Sequence, residues 1–144
     1  MPGLKVDRAT SQRLGKIRQR DTAPEQIARQ MLTRLGLKYR LTNRGLPGSP
    51  DVANRKCRWA VFVHGCFWHS HSGCYRATVP KRNRDFWLAK FAANRARDRR
   101  AIRILKARGY AVVVLWECDL EERPKAVTRR LQKALGQKRP NRES

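Results

Sequence analysis

Residues Val63 to Cys74 read Val-His-Gly-Cys-Phe-Trp-His-Ser-His-Ser-Gly-Cys, so all three histidines and two of the four cysteines of a 144-residue chain fall within twelve positions. Histidine and cysteine are costly to bury without partners, and the aromatic side chains Phe67 and Trp68 between them do not suit an exposed polar loop. The stretch is therefore a built site, and the fold has to bring partners to it. The apolar run Trp59-Ala-Val-Phe-Val63 feeds straight into it and reads as a central strand.

Spacing points to a metal. Cys66-x4-His71-x2-Cys74 supplies three soft or borderline ligands, and Cys118, at the end of the apolar run Tyr110 to Trp116, supplies a fourth, which makes a Cys3His set for tetrahedral Zn2+. Four protein ligands leave no open position, so such a site is structural. Cys57 is the rival fourth ligand, but it stands nine residues before Cys66 along a strand, roughly 30 Å away if extended, and reads as an ordinary buried cysteine. Spacing alone also leaves His69 as a rival to His71. If His71 is the ligand, His69 points elsewhere and is available as a general base near neutral pH.

The partner class follows from charge. With 34 Lys and Arg against 11 Asp and Glu, the chain carries +23, spread as eleven, twelve and eleven basic residues over 1–50, 51–100 and 101–144. A compact domain with that self-repulsion suits a polyanion, and nucleic acid is the expected partner. Acids are then the informative minority. Residues 1–100 hold only Asp7, Asp21, Glu25, Asp51, Asp85 and Asp98, and an acid facing phosphates weakens binding unless a cation lies between them. There is no apolar run of transmembrane length and no secretory h-region, so the four cysteines suggest metal rather than disulfides, in a reducing, cytoplasmic setting.

Local patterns place these residues. Residues 1–20, with six basic side chains, are expected to form a basic arm that orders on DNA, with a short helix near Thr10 to Gln19. Thr22 and Glu25 form a capping box for a helix over Ala23 to Leu35, ended by Gly36. Leu37 to Leu41, Asp51 to Ala53, Arg58 to Val63 and Tyr110 to Trp116 read as strands, the last one buried, with the second and third paired around Arg55-Lys56. Residues 84–107 form the longest helix; Trp87, Phe91, Asn94, Asp98, Ile102 and Leu105 share its inward stripe, which puts an acid on the core side. A last helix runs over Pro124 to Leu135, and 136–144 reads as a disordered basic tail. One α/β domain over 21–135 with a small mixed sheet flanked by helices accounts for this order.

Pro50-Asp51 opens one strand and Val63-His64 closes the next, which sets a carboxylate beside a neighbouring strand end. Restriction-type nucleases use that arrangement to hold Mg2+. Asp21-Thr-Ala-Pro-Glu25, Leu46-Pro-Gly-Ser-Pro-Asp51, Phe62-Val-His-Gly-Cys-Phe-Trp-His69 with His71 and Cys74, Phe86-Trp-Leu-Ala-Lys90, Asn94 with Arg97-Asp-Arg-Arg100, and Val114-Leu-Trp-Glu-Cys118 together resemble the very-short-patch-repair (Vsr) mismatch endonuclease family over about residues 8–120. The resemblance implies a restriction-endonuclease-like, PD-(D/E)XK-type fold, a structural zinc, and Mg2+-dependent nicking of duplex DNA 5′ of the thymine in a T·G mismatch.

Carried onto this chain, the resemblance makes Asp51 the principal Mg2+ ligand beside the main-chain carbonyl of Val63, with His69 as general base oriented by Asp98. It puts His64 and Glu25 at the scissile phosphate or its waters, although Glu25 also has a sufficient role as the helix cap. Cys66, His71, Cys74 and Cys118 would hold zinc. Phe67, Trp68 and Trp87 would form an aromatic wedge beside the mismatch, with Leu14 pressing from the arm and Lys90 and Asn94 reading the wobble pair. A monomer is implied, with other mismatch-repair proteins as candidate partners. The chain departs from the family in having Val63 where Thr is frequent, Ser70 and Ser72 in place of a denser histidine run, and an added Gly73. A zinc-stapled nucleic-acid-binding module without chemistry is the competing reading, and Asp51, His69 and Asp98 are what it would not need.

Overall fold

The computed structural model describes residues 22–136. The expected arm with Leu14, and the tail from residue 137, lie outside the described residues. The elements, in order, are α1 (Ala23–Arg34), β1 (Val52–Asn54), β2 (Trp59–His64), α2 (Arg84–Ala107), β3 (Ala111–Trp116), α3 (Glu117–Glu122) and α4 (Pro124–Leu135).

α1 starts where the capping box puts it: Thr22 is extended and its Oγ1 accepts from the Glu25 N–H at 3.4 Å. Gly36, at φ +75°, follows its last turn. α2 and α4 occupy the ranges their periodicity predicts. The strands form a mixed sheet in the order β1-β2-β3, with β2 central, antiparallel to β1 (Val52 opposite Val61) and parallel to β3 (Val61 opposite Val113). A parallel pair needs a crossover, and α2 supplies it.

Alternation along β2 and β3 divides the core. Trp59, Val61, Val113 and Leu115 face α1, α3 and α4, packing on Met31, Leu32, Leu120 and Leu131, while Ala60 and Phe62 face Leu105 of α2. His64 and Trp116, the last pair in the β2–β3 register, therefore end up at the same end of the sheet, where the histidine-rich segment begins.

Three expectations are corrected. Leu37 to Leu41 is not a strand: Arg40 makes a single bridge to Ala53, and the next position is taken by the Asn54 side chain, whose Nδ2 donates to the Lys38 carbonyl at 2.8 Å. The sheet thus has three strands among the described residues. β3 is its edge and buries only Val113 and Leu115 fully, so it alternates rather than being buried throughout. Between β3 and α4 lies the short helix α3, which carries Glu117, Asp119, Glu121 and Glu122. No helix among the described residues is long and apolar enough to cross a membrane.

Candidate active site

Two sets of side chains interleave in the segment that follows β2. Cys66 and Cys118 are buried, His71 and Cys74 half-buried, and their ligand atoms all lie within 4.8 Å of one another. The His71 Nδ1 is 3.6 Å from the Cys66 sulfur and 3.5 Å from that of Cys118. Ligands at about 2.0–2.3 Å from a tetrahedral ion stand between about 3 and 4 Å apart, so the cluster has the size of such a site. Burial pushes the Cys66 thiol up to about 12 and raises that of Cys118, so gathering these thiols in one place is unfavourable for their ionised forms unless a cation joins them. Cys57 stands outside the cluster. It is half-buried rather than buried, packs against the core, and its N–H donates to Asn54 Oδ1 at 2.9 Å.

The second set is His64, His69 and Asp98. The His69 Nδ1 lies 2.5 Å from Asp98 Oδ2, across 29 residues of sequence. Burial works against ionisation of Asp98, but the hydrogen bond and charge of His69, together with His64, hold its carboxyl below the ordinary carboxylate value. An ionised carboxylate only accepts, so His69 Nδ1 is the donor, which makes Nε2 the lone-pair nitrogen of the neutral ring. The His64 ring is stacked on His69 at 3.7 Å, 3° from parallel. Burial pushes His64 down to about 4, and the charge of His69 adds to this, so His64 is neutral near pH 7. In this trio the donors are engaged with one another, ring against ring and carboxylate on Nδ1.

Asp51 stands one residue before β1, and its Oδ2 accepts from the Val63 N–H at 2.6 Å, so the carboxylate sits against the end of β2 as the strand order predicts. Burial raises it to about 6 against the effect of that N–H, and the negative charge of Glu25 adds to the rise. A half-buried carboxylate held this high, beside main chain and a second acid, is the kind of group a divalent cation relieves.

These groups open on two adjoining hollows that share Glu25 and Val63. One holds Asp51 with Arg29, Asn43 and Arg44. The other, of about 630 Å³, holds His69, Asp98, Lys90, Asn94, Phe67 and Trp68. Asn94 Nδ2 donates to the Trp68 carbonyl at 3.0 Å and its Oδ1 accepts from Arg97 at 2.7 Å. Trp87 sits differently from the sequence expectation: it is only 1 % exposed, 5.1 Å from Phe67 and 5.8 Å from Trp68 and Phe91, so it floors the aromatic cluster while Phe67 and Trp68 keep some surface.

The family assignment now follows. The family model described as DNA mismatch endonuclease Vsr matches residues 5–76, half of the chain. The DNA mismatch endonuclease Vsr of Escherichia coli is 43% identical over 131 residues, covering 88% of this chain and 83% of the relative. The chain belongs to the Vsr family. Two further relatives are nicking enzymes by name: the type II nicking enzyme V.XorIIP of Xanthomonas oryzae, 43% identical over 74% of this chain and 78% of its own length, and V.NmeAIP of Neisseria meningitidis, 40% identical over 75% and 76%.

Sequence reasoning missed Glu117. Its Oε1 accepts from the Cys66 N–H at 3.3 Å, and it lines the hollow that holds His69, so it links α3 to both sets. Arg76, 4.0 Å from Glu117 and paired with Glu121 at 2.5 Å and Glu122 at 2.9 Å, ties the end of the cysteine-rich segment to the same helix. The scarcity of acids was the usable signal, but that roster stopped at residue 100.

Proposed function

We propose that this chain nicks duplex DNA on the 5′ side of the thymine in a T·G mismatch by Mg2+-dependent phosphodiester hydrolysis, initiating very short patch repair. Family membership carries the reaction class, as its relatives are a mismatch endonuclease and nicking enzymes by name. The observation that carries the chemistry is the His69–Asp98 pair, opening on a hollow that borders Glu25 and Val63 beside Asp51.

Asp51 and the Val63 carbonyl would hold Mg2+, which when bound stabilises charge developing on the phosphate and lowers the pKa of coordinated water. His69 Nε2 takes a proton from the attacking water, and Asp98 orients the ring and stabilises the imidazolium that forms. The water oxygen bonds to phosphorus as the P–O3′ bond breaks, and the leaving 3′ oxygen takes a proton from a water molecule to become the 3′-hydroxyl. His64, stacked on the base, would contact the scissile phosphate or metal-bound waters, and Glu25 lines both hollows. Cys66, His71, Cys74 and Cys118 would hold Zn2+, which fixes the segment bearing both the base and the aromatic rings.

A T·G wobble is weakly stacked, so Phe67 and Trp68 enter there at lower cost than at a matched step, and this difference gives selectivity. Trp87 supports them from below, entering only if the cluster opens; Leu14 would press from the arm, and Lys90 and Asn94 would read the pair. The strand-start Asp51 beside the end of β2 fits a PD-(D/E)XK-type domain over 21–135 with an N-terminal DNA-binding arm and a basic tail. We take the chain to act as a monomer on DNA, alongside other mismatch-repair proteins, in the cytoplasm, where its four cysteines, none of them in a disulfide, stay reduced.

An end-labelled duplex with one T·G pair, incubated with the protein and MgCl2, tests this. One nick 5′ of the mispaired thymine, absent from the matched duplex, is expected. Tight binding with no nick would leave the DNA-binding module as the reading.

A further inference from the structure

Among the described residues, two polar side chains lie in the buried class, His64 and Asn43. His64 is accounted for by the site. Asn43, 3% exposed, is not, and buried amides of this kind are kept only where their hydrogen bonds do something.

Its Nδ2 donates to the Arg40 carbonyl at 2.8 Å and to the Pro50 carbonyl at 3.2 Å. The first partner is the residue bridged to Ala53, and the second precedes Asp51 by one peptide bond. The amide, together with the Arg40–Ala53 backbone pair, thus closes the 40–50 excursion onto the start of β1. The loop between is equally fixed: Leu46 N–H donates to Asn43 O at 3.1 Å, and Ser49 N–H to Leu46 O at 3.0 Å. At Gly48, φ is +74° and a Cβ would stand 2.7 Å from the Ala101 Cβ and 3.1 Å from the Phe62 ring, so the loop lies directly on α2 and β2. What reads in sequence as a turn-rich connection is a rigid mount for Asp51.

We propose that Asn43 is a positioning residue for strand cleavage. It fixes the Pro50–Asp51 peptide so that the Asp51 carboxylate stays against the end of β2, and thereby sets how tightly the site takes its divalent cation. The inference rests on the nickase reading. A ligand whose backbone is already immobile takes a cation without first being ordered, and partners that hold a ligand in place typically affect metal affinity by about 10- to 100-fold. Loss of the amide leaves two carbonyls without their shared donor and frees Asp51 to move.

The test is single-turnover nicking of a T·G duplex by the full chain at saturating protein, titrated with MgCl2, for wild type, Asn43→Ala and the similarly sized Asn43→Leu. DNA affinity in EDTA and thermal melting are measured alongside. The expected result is a half-saturating Mg2+ concentration raised on the order of tenfold in both variants, with near wild-type rate at saturating Mg2+ and unchanged DNA affinity. An unchanged Mg2+ requirement in a variant that melts cooperatively would overturn the proposal, as would loss of cooperative melting in both, which would assign Asn43 to the fold alone. A wild-type chain that nicks at no Mg2+ concentration would remove the nickase reading itself, a different result from wild-type nicking with unaltered variants.

Discussion

The cysteine-rich set and the histidine–carboxylate set interleave within residues 64–74, are completed by Cys118 of α3 and Asp98 of α2, and each gathers its donor atoms within 4.8 Å. They differ in how their donors are engaged. In the first, the His71 Nδ1 stands 3.5–3.6 Å from the Cys66 and Cys118 sulfurs with no acid among the donors, whereas in the second His64 and His69 lie flat on each other and Asp98 accepts a hydrogen bond from His69. Closeness of donors alone therefore does not make a metal site. On the proposed reading the first set is a clamp, and the stacked, hydrogen-bonded second set supplies a base.

The largest effect is expected at Asp51, which belongs to neither set. Asp51→Ala should lower nicking by at least about 10³-fold while DNA affinity, read by fluorescence anisotropy, holds or rises, since a cation ligand and a repulsive charge go together. Parallel loss of binding and cleavage would contradict that role. His69→Ala should cost about 10²- to 10⁴-fold in rate with zinc content unchanged, whereas His71→Ala should lose zinc and melt at lower temperature. If mass spectrometry found the zinc missing from the first and kept by the second, the two sets would have to be exchanged. Asp98→Asn, which leaves the ring but not its orientation or charge partner, should cost on the order of 10²-fold.

The smallest effect concerns pH. The Asp51 carboxyl is raised by burial to about 6, so below that value a proton competes with the cation and above it does not. The half-saturating Mg2+ concentration for nicking should be flat above about pH 6 and rise by up to about tenfold per unit below it, one proton being displaced per ion. A flat profile between pH 5 and 8 would mean that Asp51 does not exchange a proton for the metal.

Much of this was legible in the residues because the signals were periodic or chemical. The stripe Trp87, Phe91, Asn94, Asp98 gave α2 and put Asp98 on the core side, where it meets His69. Cysteine spacing separated the four clustered donors from Cys57, which the structure leaves outside. The failures have physical causes too. Leu37 to Leu41 alternates like a strand, but pairing ends after one bridge because the Asn54 side chain takes the next carbonyl. α3 is six residues with four acids, too short and too polar to show a period. Trp87 and the exposed-looking ring pair next to it cannot be ranked by sequence, since aromatic residues serve equally as floor and as contact surface. Asn43 reads as a turn residue, and only its burial and the reach of its amide distinguish it.

The proposed division of one segment into a zinc clamp and a metal-free base has a spectroscopic readout. X-ray absorption at the zinc edge of the purified full chain tests it most directly. The account predicts one zinc per chain with three sulfur ligands at about 2.3 Å and one nitrogen at about 2.0 Å. A spectrum dominated by nitrogen and oxygen, with two imidazoles and no more than one sulfur, would put the metal on His64, His69 and Asp98 and contradict the division.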